Sequence, residues 1–579
     1  MKKKIVPVLV VVGLIFLIIG ITAISMLVKK YTPSKEVMDS REYYGITSDD
    51  QVAIILDQKV MEEKAKSFDG NIYIDYNFLH DNINSRYYWD HNENILLYAT
   101  DKELISADAD STSYYVAKNT EDFGKVIVKA TADSAYVSLD FVKLHTNISV
   151  KFFEDPSRIV ITSGNTSLDT APVKKGTQVR LKGGIKSPIL SEVSKEDSVQ
   201  VIEAGENWTK VMTSDGYIGY MKASLVGETE QIDERTDVIE EKFSHIVKDF
   251  KINMAWHQVT TYAANNEVAN MLATTKGVNV ISPTWFHLND NKGNLEDIAS
   301  SSYVSYCHQQ GVEVWALVNN LDNPDVDTTH VLTHTSTRQN LVNQIVASAI
   351  KYELDGINLD FESLNGEEVG DSYIQFVREL SIKLGNNGIV LSVDNYVPAP
   401  YTAFYNRAEQ ANFADYVVIM GYDQHYSGSD SGSVAALDWV TQGVEDTLKE
   451  VPSSQVILGM PFYTRVWELK PKEGSESTEV TDENSEKELY DVSSKTYTMT
   501  NAANLVSSFQ AKTTWDETCG QNFATWENNG ITYKVWLEDS KSFEARLPLL
   551  EKYSLAGASY WKLGLENKSI WDTIIKYIN

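Results

Sequence analysis

Three polar side chains occupy alternate positions in Leu354-Asp355-Gly356-Ile357-Asn358-Leu359-Asp360-Phe361-Glu362. On a β-strand alternate residues share a face, so Asn358, Asp360 and Glu362 point one way and Ile357, Leu359 and Phe361 the other. Two carboxyls in one column repel each other when both ionise, which holds one of them protonated near neutral pH. A protonated acid beside an ionised one suits glycosidic-bond cleavage: one group protonates the leaving oxygen, the other stabilises the oxocarbenium-like carbon. Taken by itself the nonapeptide has a plainer reading, a strand edge with scattered acids, because acids abound in a chain of formal charge -30.

Such a column needs a scaffold to aim it. From about residue 245 to the C-terminus, strand-like and helix-like segments alternate. Candidate strands, in order, are Ile252 to Trp256, Val278 to Thr284, Val312 to Val318, Gly356 to Asp360, Ile389 to Val393, Tyr416 to Met420, Val456 to Met460 and Gly557 to Trp561. Gln339 to Tyr352 and Ser372 to Leu384 carry apolar residues at helical spacing. Eight such units predict an α/β fold, a (β/α)8 TIM barrel over 245–579, with its functional residues at the C-terminal ends of the strands. Between the seventh and eighth strands an α+β insertion, about 464–553, is expected to wall one side of a groove. Its acidic tract from Glu473 to Glu488 reads as a solvated loop.

The ends of other strands carry further motifs. Strand six ends Met420-Gly421-Tyr422-Asp423, strand seven reads Leu458-Gly459-Met460-Pro461-Phe462-Tyr463, and strand eight reads Tyr560-Trp561-Lys562-Leu563-Gly564. Together with Asp355 to Glu362 they resemble, in the right order, the signatures of the family 18 glycoside hydrolases, the chitinase-type barrels. An amide at Asn358 in place of the middle acid resembles the branch containing spore-germination and spore-cortex-lytic N-acetylglucosaminidases.

That resemblance implies a chemistry in which the substrate's own 2-acetamido oxygen is the nucleophile. Glu362 would be the acid, Asp360 would orient the acetamido N–H and stabilise the oxazolinium charge, and Tyr422 would hydrogen-bond the acetamido carbonyl. Those three form the catalytic set. Asn358, Asp423, Trp561, Glu538 and Asp355 complete the candidate substrate-binding set, with Asp423 supporting the sugar or the acid and Trp561 as the aromatic floor. Asp355 has the opposite strand parity from Glu362 and is expected to support the start of the strand. Glu538, in Val535-Trp536-Leu537-Glu538-Asp539, either closes the groove from the insertion or is an ordinary surface acid.

Two departures from the better-known chitinases matter. With Asn358 removing one charge from the column, Asp360 should ionise more readily and the pKa of Glu362 should rise less. Strand three lacks the Ser-x-Gly-Gly often seen there, which argues against a long-chitin groove. No metal or other cofactor is expected: His257, His287 and His425, near the ends of strands one, two and six, are not spaced as His-x-His or His-x-x-x-His among themselves, and His80, His91 and His145 are irregularly spaced.

The rest of the chain suggests where this chemistry operates. At 579 residues several domains are expected, and the net charge argues against sequence-independent binding to nucleic acid. Twelve Trp and 31 Tyr suit sugar-binding surfaces as well as cores. Cys307 and Cys519 form neither a metal pattern nor a disulfide framework, although an exported chain could bridge them.

Lysines 2–4 precede an uncharged run from Ile5 to Val28, long enough to span a bilayer. Residues 1–30 therefore read as a signal-anchor with the remainder outside; a cleaved signal peptide, with Thr22-Ala23 as small residues for a peptidase, is the alternative. Residues 31–50 read as a polar tether. Residues 31–168 form a small α+β domain, with strands at Asn71 to Tyr76, Asn94 to Ala99, Lys125 to Val128 and Arg158 to Ile161 and a helix at Asp140 to Leu144. Its pattern resembles the N-terminal-type domain of copper amine oxidases that recurs in cell-wall proteins.

Residues 169–228 alternate in short strands with an Asp215-Gly216 hairpin signal and resemble a bacterial SH3-type barrel, a wall-binding module or a spacer. Gly227 to Glu241 reads as a linker or the start of a helix. The expectation is a membrane-anchored, extracytoplasmic hydrolase of a 2-acetamido glycan, with peptidoglycan favoured over chitin by this architecture. The alternatives are a non-catalytic glycan-binding barrel and a cell-wall scaffold.

Overall fold

A computed structural model describes residues 5–132, 134–234, 238, 241–473 and 486–578. The chain divides into two compact units, one formed by 1–89 and 107–241, the other by 90–106 and 242–579.

In the second unit eight parallel strands close on themselves: β1 (Ile252–His257), β2 (Val280–Leu288), β3 (Glu313–Asn319), β4 (Gly356–Asp360), β5 (Val390–Tyr396), β6 (Tyr416–Met420), β7 (Val456–Pro461) and β8 (Gly557–Trp561). Each pairs with the next, and β8 returns to β1 with Ile252 opposite Gly557. The expected strands agree with these to within a few residues, since strands buried on both faces read as bounded apolar runs.

Side-chain alternation divides the core into two layers. Met254, Trp256, Trp315, Leu317, Val418 and Ile457 fill the barrel interior. Ile357, Leu359 and Phe361 face outward against helix residues such as Leu341, Ile345, Phe376 and Leu380. Gly356 shows how tightly the interior fills: a Cβ there would lie 2.7 Å from the Trp315 ring.

The helices Thr335–Lys351 and Ser372–Gly385 pack outside β3 to β5 and carry buried ion pairs, Arg338 to Glu379 at 2.9 Å and Arg378 to Glu409 at 2.7 Å. Residues 90–106 belong to this unit although they precede it by well over a hundred positions. Asp90 accepts hydrogen bonds from the Thr335 N–H and hydroxyl, both 2.6 Å, which satisfies an otherwise orphaned donor at that helix N-terminus. Ala99 and Leu104 pack with Phe243, Ile382 and Phe413.

The insertion is a five-stranded antiparallel sheet in which Tyr463–Pro471 pairs with both Tyr490–Thr498 and Ile531–Leu537, backed by the helix Met499–Ser508. Of the acidic tract, 474–485 lie outside the described residues. Its end departs from a solvated loop: Glu486 is buried, 2.6 Å from Lys534 Nζ, and accepts from Ser431.

Among its described residues the first unit holds one helix long and apolar enough to cross a membrane, Pro7–Tyr31. Beyond it, 31–50 is not a bare tether: Ser40–Tyr44 is a short helix capped by Asp39, and Tyr44 and Ile46 are buried. A mixed seven-stranded sheet runs Ile148–Phe153, Arg158–Ser163, Gln51–Leu56, Lys59–Phe68, Asn71–Asp75, Ala135–Ser138, Val128–Ala130 in spatial order, with Leu139–His145 helical. The strand expected at Lys125 begins only at Val128.

A second seven-stranded antiparallel sheet contains the SH3-type region. There the turn between Trp208–Thr213 and Ile218–Lys222 spans four residues rather than two, because Tyr217 is drawn into the core and Gly216 takes φ +91°. The two modules share one apolar cluster, including Ile55, Val160, Leu190 and Met212. The stretch read as a linker or helix start instead gives the strand Glu230–Glu234, paired with Thr166–Pro172.

Candidate active site

At the C-terminal end of the barrel a cleft of about 180 Å³ is lined by Trp256, Asp360, Glu362, Asp394, Tyr396, Met420, Tyr422, Asp423 and Trp561. A second hollow of about 310 Å³ shares Asp360, Glu362 and Trp561 with it. The two carboxyls therefore stand between two compartments.

Strand parity delivers Asp360 and Glu362 to this point as the sequence predicts, and Asn320, just past β3, fixes the second of them. Its Oδ1 accepts the Glu362 N–H at 2.9 Å and its Nδ2 donates to the Glu362 carbonyl at 3.0 Å. The Tyr396 hydroxyl, which accepts the Ser363 N–H at 3.3 Å, favours the ionised form of the Glu362 carboxyl.

Burial pushes the Glu362 carboxyl above the ordinary glutamate range, with repulsion from Asp423 adding to it and the Tyr396 hydroxyl opposing it. Asp360 is only 8% exposed, and its Oδ1 is buried without a hydrogen-bond partner among the described residues. Its pKa is raised strongly, first by burial, then by Glu362 and Asp394. A lone pair left bare inside a protein is costly, so this oxygen is suited to a donor that arrives with a ligand.

Tyr422 projects from the end of β6 into the space left by Gly459, where a Cβ would come within 3.2 Å of its ring. Burial raises its hydroxyl pKa well above the usual tyrosine value, so it stays a neutral donor. Asp423 is held by the Tyr463 hydroxyl at 2.6 Å, with Arg465 3.8 Å away. Trp561 packs against Trp256 with ring centroids 5.7 Å apart, giving the cleft an aromatic wall.

Three of the predicted substrate-binding residues lie elsewhere. Asn358 is fully buried beneath the cleft and bonded to Trp256, Ser282, Ser392 and Asp394. Asp355 sits at the opening of β4, where it accepts from the Val314 N–H and pairs with His308, both at 2.8 Å. Glu538 is buried in the insertion against Arg546, Ser542 and Gln521. Burial, partly offset by Arg546, pushes its pKa up to about 7.

Sequence reasoning missed Asp394, Tyr396, Trp256 and Asn320. The first two had a signal: Ser392, Asp394 and Tyr396 alternate along β5 as Asn358, Asp360 and Glu362 do along β4. The register Asn358 to Ser392 and Leu359 to Val393 sets the two columns side by side.

Cys307 and Cys519 are both free thiols. A His-x-x-x-His spacing does occur at His330 and His334, with rings 4.0 Å apart, but among the described residues no group of three or more His, Cys, Asp or Glu is placed to hold a metal ion.

A closed parallel barrel with clustered carboxyls and an aromatic wall at its strand ends is a (β/α)8 enzyme scaffold of the glycosidase kind. Residues 217–566 match the family described as glycosyl hydrolases family 18, and the chain belongs to that family of glycoside hydrolases. Residues 175–227 match the bacterial SH3 domain.

The chain is 26% identical over 313 residues to the uncharacterised glycosylase YvbX of Bacillus subtilis, covering 52% of this chain and 84% of that protein. It is 25% identical over 296 residues to the cortical fragment-lytic enzyme of Bacillus anthracis, covering 49% of this chain and 64% of the relative, just under two thirds of its length. The crystal structure of the spore cortex-lytic enzyme SleL of Bacillus cereus matches with a TM-score of 0.50 at 20% identity, over 61% of this chain and 78% of that chain, a likeness of fold.

Proposed function

We propose that this glycoside hydrolase cleaves β-linked N-acetylglucosamine-containing glycan, with peptidoglycan favoured over chitin, by substrate-assisted retaining catalysis at the cell envelope. The observation that carries the reading is the buried, unpartnered Asp360 Oδ1 beside a Glu362 carboxyl held toward its protonated form.

Glu362 donates its proton to the glycosidic oxygen as the bond breaks. The acetamido oxygen of the sugar attacks the anomeric carbon. Asp360 accepts the acetamido N–H, orients it, and stabilises the positive charge that develops on the oxazolinium ring. The Tyr422 hydroxyl donates to the acetamido oxygen, and Trp561 supplies the apolar floor. Water then opens the oxazolinium, and Glu362, now a carboxylate, takes the water's proton. Asp423, fixed by Tyr463, supports the sugar from the side. Asn358, Asp355 and Glu538 act through the groups they hold rather than by touching the glycan.

Peptidoglycan is favoured by the relatives named for cortical-fragment and spore-cortex lysis, and by the SH3-type module, which would contact the wall. The helix Pro7–Tyr31 would anchor the protein with its later domains outside the membrane. The test is sugar release from purified peptidoglycan and from chitooligosaccharides by the full-length protein beside Glu362→Gln. New N-acetylglucosamine reducing ends from peptidoglycan with the parent alone are expected. Glycan binding without release by either protein would replace this reading with a lectin-like one.

A further inference from the structure

Asn358 uses its whole amide. Oδ1 accepts from Trp256 Nε1 at 2.8 Å and Ser282 Oγ at 3.1 Å, while Nδ2 donates to Ser392 Oγ at 3.0 Å and Asp394 Oδ1 at 2.7 Å. An indole N–H can only donate, so the amide orientation is fixed and Asp394 Oδ1 must be an acceptor. Asp394 is 2% exposed yet lines the same cleft as Asp360 and Glu362. Among the described residues, none of those lining that cleft is a lysine or arginine.

We propose that Asp394 is the third ionisable group of the site, a positioning residue on the neighbouring strand that supplies the carboxyl Asn358 lacks and so sets the pH window in which Asp360 is ionised and Glu362 protonated. The inference rests on the reading of Glu362 as the acid.

The groups that bear on Asp394 are carboxyls, tyrosines and the Asn358 amide. Asp360 and Glu362 face it from β4, Tyr396 lies on its own strand, Tyr422 stands at the end of β6, and Tyr373 approaches from the helix Ser372–Gly385. Asp322, beyond β3, adds its repulsion at Asp360, Arg407 acts on Tyr373, and Arg465 lies 3.8 Å from Asp423. Burial and then Glu362 raise the Asp394 carboxyl well above the ordinary range, with the Asn358 hydrogen bond opposing them. A column with one acid fewer on its own strand therefore keeps its third acid one strand away, beside an Asp360 whose pKa burial, Glu362 and Asp394 raise.

The test is the pH profile of kcat/KM for the full-length protein on a chitooligosaccharide or a peptidoglycan fragment. A like charge raises its neighbours' pKa values, so removing it lowers them. The basic limb reports loss of the Glu362 proton and the acidic limb reports protonation of Asp360. Asp394→Asn should move both limbs toward acid by about one pH unit.

Asn358→Asp alone should move them toward alkaline pH. The double substitution Asn358→Asp with Asp394→Asn reverses the amide–carboxylate pair between the strands and should return the profile to the parent's. Profiles superimposable on the parent's for Asp394→Asn, or for Asn358→Asp where the first fails to fold, would overturn the inference. Glu362→Gln, run alongside, separates the two claims. If it is inactive while the other profiles stay unshifted, only Asp394's role falls; if it is active, the acid assignment falls and this inference with it.

Discussion

Two sets of buried acids in the same barrel are treated in opposite ways. In the helical layer, Glu379 and Glu409 each meet an arginine, at 2.9 and 2.7 Å. At the N-terminal end of β6, Asp415 accepts backbone N–H groups of Ile246 at 2.6 Å and Leu391 at 2.8 Å. At the other end Asp360, Asp394 and Glu362 crowd together and, among the described residues, no lysine or arginine lines the cleft; Asp360 Oδ1 is left bare, as Glu379 Oε2 is, but without the arginine that Glu379 has. Stability alone favours the first arrangement, because an unpaired buried charge is expensive. The second makes sense where a partner and a proton acceptor come with the substrate.

The largest effect that sharpens this contrast should come from Glu362→Gln. Its activity should fall by roughly 10²–10⁴-fold, the range for loss of a general acid, with a melting temperature close to the parent's. A comparable fall in stability would mean Glu362 belongs with the structural acids.

Arg338→Ala should do the reverse. It leaves Glu379 buried and unpaired, and should cost about 3–5 kcal/mol in denaturant unfolding, while any protein that remains folded keeps its pH profile. A loss under about 1 kcal/mol, the level of a surface pair, would break the comparison.

A smaller effect concerns Asp360→Asn. Because the folded-state pKa of Asp360 lies above its unfolded value, the native state binds more protons, and stability declines as pH rises from the unfolded pKa through the folded one. Removing the ionisable group should therefore raise the melting temperature at neutral pH, with the gain shrinking as pH falls toward about 4, where the unfolded chain protonates too. A loss of stability at neutral pH would contradict the assignment.

How much of this was legible in the sequence follows from the physics of each feature. The barrel strands were legible because buried parallel strands are short apolar runs between helical repeats, and Asp360 and Glu362 because parity along one strand needs no other strand to be placed. Asp394 and Tyr396 depend on the register between β4 and β5, which one strand alone does not specify. Asn320 acts through its amide on a backbone 42 positions away, and Asp90 on a helix 245 positions away, contacts that leave no local pattern. Glu538 had the right residue type in a plausible lobe; what the sequence could not reveal was Arg546 closing over it. The compact segment at 31–50 is illegible for a related reason, since a polar stretch with one short helix, Ser40–Tyr44, gives no periodicity to detect.

The most direct test of the account is the anomeric configuration of the first product, followed by proton NMR before mutarotation. The proposed substrate-assisted mechanism, with Asp360 Oδ1 receiving an acetamido N–H, predicts that the β-anomer is released first from a β-linked N-acetylglucosamine oligomer. Initial release of the α-anomer would mean that a protein carboxylate activates water for direct displacement, and would contradict the substrate-assisted mechanism.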